Sequence, residues 1–213
     1  MRTLCVTNVG RTLLTATAIA LLLGVAAAQN PAGKFSALGQ ARLVIGGVPP
    51  DTKAVDLTSQ CTSAPIPCGF SPTYSGVAFV PKAGHTLLLN QITNLSTDYN
   101  FGGADCGGGA PRFEIVLNGV TPHLWGYFGP PPDFVGCFYG WLNTGNLTTD
   151  TTPRWYVGNT SYTWTTLVAA YGSDAVTEIA IIVDSGWFAA RGQDLTIDNF
   201  TINTRVLQAN ECF

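Results

Sequence analysis

Apolar residues along most of the chain come in short runs, many hydrophobic at every second position, separated by Gly, Pro, Asn and Asp. That spacing predicts strands closed by turns, and so an all-β sandwich or barrel rather than strands alternating with helices. The predicted strands are "ARLVIGG", "SGVAFVP", "HTLLLNQITNL", "RFEIVLNG", "TEIAIIVD" and "DLTIDNFTIN". In the fourth, Phe113, Ile115 and Leu117 alternate with Glu114, Val116 and Asn118, which assigns the Phe113 side to the core. "EIAIIVD" is apolar at nearly every position, the pattern of a central strand covered on both faces. The last run breaks its own period: Leu195 and Ile197 share one face, Phe200 and Ile202 the other, so the phase slips at Asp198 and Asn199. A β-bulge, which sets two residues opposite one, produces such a slip.

One helical stretch stands out. In "TWTTLVAAYG", Trp164, Leu167, Val168 and Tyr171 fall on one helical face, Thr163 is placed to cap the start and Gly172 to end it. A short helix covering one end of the sandwich is expected. "GGADCGGGAP" and "GPPPDFVG" read as loops, the first through the freedom of glycine and the second through consecutive prolines.

The pattern at the start of the chain predicts a destination outside the cytoplasm. Residues 1–28 have the form of an export leader: Arg2 and Arg11, the apolar "LLTATAIALLLGV", then Ala26, Ala27 and Ala28. The apolar run is shorter than the roughly 20 residues of a membrane span, so a secreted or periplasmic chain with residues 29–213 as one domain is expected. Removing the leader leaves 8 basic against 13 acidic side chains, a balance that argues against nucleic acid as a partner. Five cysteines follow it, and an oxidising destination favours pairing. Cys61 with Cys68 and Cys106 with Cys137 is the favoured pairing, with Cys212 left over; the rival pairing ties Cys212 in and frees another.

A carboxylate turned inward at the slip needs an arginine, backbone N–H groups or a cation, since an unpaired buried charge costs several kcal/mol. "LTIDNFTIN" resembles the closing strand of secreted jelly-roll modules of the galactose-binding and carbohydrate-binding-module type. The resemblance implies a jelly-roll β-sandwich whose final strand returns beside the first. It also implies a structural calcium held at Asp198; Asp184 and Asp194, which flank "SGWFAARGQ", are candidates for further oxygen donors by their position. After the Gly-rich "RLVIGG" the first acidic residue is Asp51. The competing partner for Asp198 or Asp105 is a guanidinium, from Arg112 in "PRF" or Arg154 in "PRW".

The densest unusual feature is "HLWGYFGPPPDFVGCFYGWLN", where Trp125, Tyr127, Phe128, Phe134, Phe138, Tyr139 and Trp141 crowd together among glycines and prolines. Rings on stiff segments stack on sugar rings, so Trp125, Tyr127, Tyr139 and Trp141 are candidate ligand contacts, with Asp133 and Asn143 orienting hydroxyls. The alternative is that Trp125, Tyr127 and Phe138 alternate into the core. A two-carboxylate glycosidase would have to use Glu114 and Glu178, because the third glutamate, Glu211, is at the tail. No G-x-S-x-G elbow accompanies Ser185, and His85 and His123 lie far apart. Neither H-E-x-x-H, a P-loop nor a C-x-x-C occurs. N-x-S/T sites stand at Asn94, Asn146, Asn159 and Asn199, for use only in a eukaryotic secretory route. The expected function is non-catalytic binding of an extracellular glycan. The alternatives are a structural or adhesive surface protein and a glycoside-active enzyme.

Overall fold

The computed structural model describes residues 30–59, 73–102, 111–129, 139–184 and 192–213, which form two antiparallel sheets sharing one core. The first sheet runs β1 (Gly33–Gly39), β4 (Tyr74–Pro81), β12 (Ala175–Asp184), β7 (Arg112–Leu117), β8 (Leu124–Tyr127), β10 (Trp155–Val157), β11 (Thr160–Tyr162). The short β5 (Leu87–Leu88) pairs with the start of β12. The second sheet runs β2 (Arg42–Ile45), β3 (Lys53–Ser59), β13 (Gln193–Ile202), β6 (Leu95–Phe101), β9 (Leu142–Asn143), with β14 (Arg205–Val206) on the end of β13.

Alternation decides what each strand buries. Phe113, Ile115 and Leu117 of β7 all lie in the core. β12 sits between β4 and β7, as its sequence implied: Ile179, Ile181 and Val183 face the core. Ala180 and Ile182 face the other way, against Ala78 and Leu38. Rings join the layers. Phe200 of β13 packs edge-on against Phe35 of β1 at 5.3 Å and against Phe113 of β7 at 5.6 Å, and Tyr99 of β6 meets Phe128, just past β8, at 5.4 Å.

The slip on β13 is a bulge. Asp198 pairs with Asp98 and Thr201 with Ser96, so Asn199 and Phe200 together oppose the single residue Thr97. Asn199 takes a left-handed backbone, φ 50°, which Asn tolerates better than other residues bearing a side chain. With one residue absorbed, Leu195, Ile197, Phe200 and Ile202 all reach the core.

The helix α1 (Trp164–Tyr171) forms as expected, with Thr163 Oγ1 accepting the Thr166 N–H at 3.2 Å and Trp164 packed against Trp155 at 4.9 Å. Gly172 ends it in an ordinary helical conformation; its lack of a side chain is needed because a Cβ would lie 2.4 Å from the Val168 carbonyl oxygen.

Two expectations need correction. "HTLLLNQITNL" is not one strand, because a 3₁₀ turn at Leu89–Gln91 separates β5 from β6. It is held in part by the Gln91 side chain, which accepts the Leu88 N–H at 2.8 Å. The final long strand does not return beside the first one: β13 lies between β3 and β6, while β1 belongs to the other sheet.

The bulge makes a test. A β-branched residue is strained at φ near +50°, whereas glycine is not, so Asn199→Val should unfold about 1–2 kcal/mol more easily than Asn199→Gly in urea titrations. Both variants lose the Asn199 side-chain hydrogen bond to Asp98, so the difference reports backbone strain, narrowed by the greater freedom of glycine in the unfolded chain.

Candidate functional site

Leu124 and Phe128 are buried on the inner side of β8, so Trp125 and Tyr127 point outward from the first sheet. Gly126 leaves room on the inner side for Trp155, whose ring would lie 2.5 Å from a Cβ there. On β10, Tyr156 takes the same outward side: it pairs in register with Trp125, and its ring lies 5.2 Å from that of Tyr127. The three rings are half-buried and form one patch.

Charged side chains of β7 and β12 border this patch. Arg112 is opposite Tyr127 and Glu114 is opposite Trp125. The Arg112 guanidinium holds both oxygens of Asp184 at 2.8 Å, reaches Glu114 at 3.4 Å and stacks over the Trp125 ring at 5.2 Å. Burial works against its charge, but Asp184 and Glu114 hold its pKa above the usual value. Glu114 also contacts His123 Nδ1 at 2.5 Å. Glu178, on β12, has its pKa raised by burial and by Glu114, with His123 opposing, and forms no hydrogen bond with the described residues. The Trp125 indole N–H is buried with no partner among them. The patch is thus a set of rings beside a guanidinium locked by two carboxylates, with a carboxyl and an indole N–H left over.

Of the six residues predicted to contact a ligand, Trp125 and Tyr127 lie here. For Trp125 and Tyr127 the alternation runs opposite to the buried alternative, with Leu124 and Phe128 inside instead, while Phe134 and Phe138 lie outside the described residues. Tyr139, Trp141 and Asn143 do not join them. They lie on or beside β9, the edge of the second sheet, where Tyr139 is 80% exposed and the Asn143 side chain donates to Asp98 at 2.6 Å. Asp133 lies outside the described residues. Sequence reasoning missed Tyr156, and read Arg112 only as a partner for Asp198 or Asp105. Part of the signal was present: Arg112 and Glu114 alternate onto one face of their strand and Trp125 and Tyr127 onto one face of theirs, and the strand register brings the two faces together.

The three aspartates predicted to hold calcium are separated and otherwise engaged. Asp184, in the first sheet, is taken by Arg112. Asp198, 3% exposed, accepts the N–H groups of Val48 and Asn199, each at 2.8 Å. Gly47 makes this approach possible, since a Cβ there would lie 2.8 Å from the carboxylate. Burial raises the Asp198 pKa, the two N–H groups oppose it, and Asp51 and Asp98 add to it. Backbone donors, rather than Arg112 or Arg154, therefore answer the carboxylate at the slip. Arg154 binds Asp150 and the carbonyls of Tyr127, Phe128 and Gly129. Among the described residues, no group of three or more His, Cys, Asp or Glu is placed to hold a metal ion.

Asp194 lies beside Asp56, which Arg42 contacts at 2.6 Å. Burial first, then the hydrogen bond and charge of Asp56, push Asp194 from 3.8 up to about 6.

His85 is exposed at a turn. Cys212 is a free thiol packed against the core, its pKa pushed to about 11 by burial and by Glu211. Cys61, Cys68, Cys106, Cys137, Asp105, Ser185 and the leader lie outside the described residues. No described helix is long and apolar enough to cross a membrane.

The described fold is an antiparallel two-sheet β-sandwich with a ring-and-ion patch on its larger sheet. Comparison with protein-family models, curated proteins and solved structures found no match.

Two outcomes follow. Arg112→Met leaves Asp184 and Glu114 without their cation and should cost about 3 kcal/mol in denaturant unfolding. Asp194 binds its proton more tightly folded than unfolded, so its contribution is full below 3.8 and is lost as pH rises through about 6. The unfolding midpoint of the native chain relative to Asp194→Asn should therefore fall between about pH 4 and about pH 7.

Proposed function

We propose that this chain is a secreted, non-catalytic glycan-binding protein whose site is the outer face of the first sheet around Trp125, Tyr127 and Tyr156. One observation carries the reading: three rings share a face with an arginine whose position is already fixed by Asp184 and Glu114. A sugar ring offers an apolar face to stack on the rings and hydroxyls to bond to the charged groups beside them. Because Arg112 is immobilised before any ligand arrives, less side-chain entropy is lost on binding. Glu178, partly exposed and without a hydrogen bond to the described residues, supplies unused hydrogen-bonding capacity. The scaffold is read as a jelly-roll of the galactose-binding type, supported by the bulged "LTIDNFTIN" strand, although that strand's neighbours differ from the expected ones.

A second reading is favoured by the placement of Glu114 and Glu178. Glu114 pairs with Ala180 and Glu178 with Val116, so the two glutamates are diagonal neighbours on one face, at a typical backbone separation of about 7–8 Å. Paired glycosidase carboxyls lie about 5–10 Å apart, a range that two glutamate side chains rooted at this backbone spacing can span.

A glycan-array screen of the protein, with and without a calcium chelator, tests both readings. Binding is expected in both conditions, weakened about 10-fold or more by Trp125→Ala and unchanged by Tyr139→Ala on the other sheet. Failure to bind any glycan ends the proposal. New reducing ends formed from a bound glycan, and lost in Glu178→Gln, would move the assignment to the enzyme.

A further inference from the structure

Four N-x-S/T sequences occur in the chain, at Asn94, Asn146, Asn159 and Asn199, and the fold treats their amides differently. The Asn94 side chain donates to the Asn203 carbonyl at 3.2 Å, and its own Oδ1 is buried. Asn146 donates to the Thr93 carbonyl at 2.9 Å, while its Oδ1 accepts from the N–H groups of Leu95 and Thr148, each at 3.1 Å. Asn199 is the bulge residue, and its Nδ2 donates to Asp98 at 2.8 Å. In each case the nitrogen that would carry a sugar faces a protein acceptor that the fold uses to set a turn or a register.

Asn159 is the exception. β10 and β11 pair up to Val157 and Thr160, leaving Gly158 and Asn159 as a two-residue hairpin loop. Gly158 has φ 59°, as the first position of a type II′ turn requires. Asn159, Thr160 and Ser161 are all exposed, and the Asn159 amide makes no hydrogen bond with the described residues. The acceptor nitrogen and the hydroxyl two residues on are both open to a large polar substituent.

We infer that, in a eukaryotic secretory route, Asn159 is the one of the four that carries an N-linked glycan in the folded protein. The donor is an oligosaccharide joined through diphosphate to a lipid carrier. The Asn159 Nδ2 attacks the anomeric carbon, forming a C–N bond as the C–O bond to diphosphate breaks. The amide proton passes to a base of the transferase and the lipid diphosphate departs, with no change of oxidation state. The sugar then stands beside β11, the edge of the first sheet, where an open row of backbone groups otherwise invites pairing with another chain. This inference is independent of the glycan-binding proposal.

The test is to secrete the full chain from a eukaryotic host with its own leader and to map glycosylated peptides by mass spectrometry before and after enzymatic removal of N-glycans. A single occupied site at Asn159 is expected. Asn159→Gln, and separately Ser161→Ala, which keeps the asparagine, should each yield bare protein with an unchanged unfolding midpoint. Sugar on Asn94, Asn146 or Asn199 in the folded product, or an unoccupied Asn159, would overturn the inference.

Discussion

Two pairs of apolar residues on one strand must enter the same core, although a regular two-residue repeat would send them to opposite sides. Asn199 reconciles them. Its left-handed backbone costs about 1–2 kcal/mol, whereas burying Phe200 alone returns about 1.5–3 kcal/mol, and Ile202 adds a similar amount. Burial wins, so the bulge is the cheaper arrangement. Phe200, once turned inward, packs on both Phe35 and Phe113 and so ties the second sheet to two strands of the first. The carboxylate just before the bulge is left facing the β2–β3 connection, whose Val48 N–H it fastens. Register, inter-sheet packing and loop position therefore share one cause.

The outer faces of the two sheets differ in their spare bonding capacity. On the second sheet the carboxyl groups are taken up by neighbouring side chains, by the backbone or by one another: Asp98 accepts from the Asn143 and Asn199 side chains, Asp198 from the Val48 and Asn199 N–H groups, and Asp56 pairs with Arg42 and Asp194. Little remains for a ligand. On the first sheet, Arg112 and Glu114 are fixed by their neighbours beside the rings, while the partly exposed Glu178 makes no hydrogen bond to the described residues. That imbalance, rather than the number of aromatic residues, separates a candidate recognition face from a structural one.

Much of the scaffold was legible because burial leaves a period in the sequence. β7 and β12 could be read from alternation and from its absence, α1 from its spacing and its cap, and the bulge from a phase change. β3 and β6 were not foreseen, because each mixes aspartate or threonine into its apolar pattern: Asp56 is buried beside Arg42, and Thr97 lies under the bulge. The aromatic segment was misread as one platform because nearness in sequence does not carry across a sandwich. Trp125 and Asn143 are 18 positions apart and belong to different sheets. Tyr156, farther along the chain, arrives beside Trp125 through strand pairing, a long-range relation that a local window cannot show.

Arg154 has a consequence for how β8 ends. Its guanidinium gathers three successive carbonyls, those of Tyr127, Phe128 and Gly129, while Asp150 holds it from behind. The direction of the chain leaving β8 is thereby set before the segment that follows begins. One side chain thus anchors the exit of β8 to the approach to β10, so the strand end that presents Tyr127 inherits its position from a residue more than twenty places further along the chain.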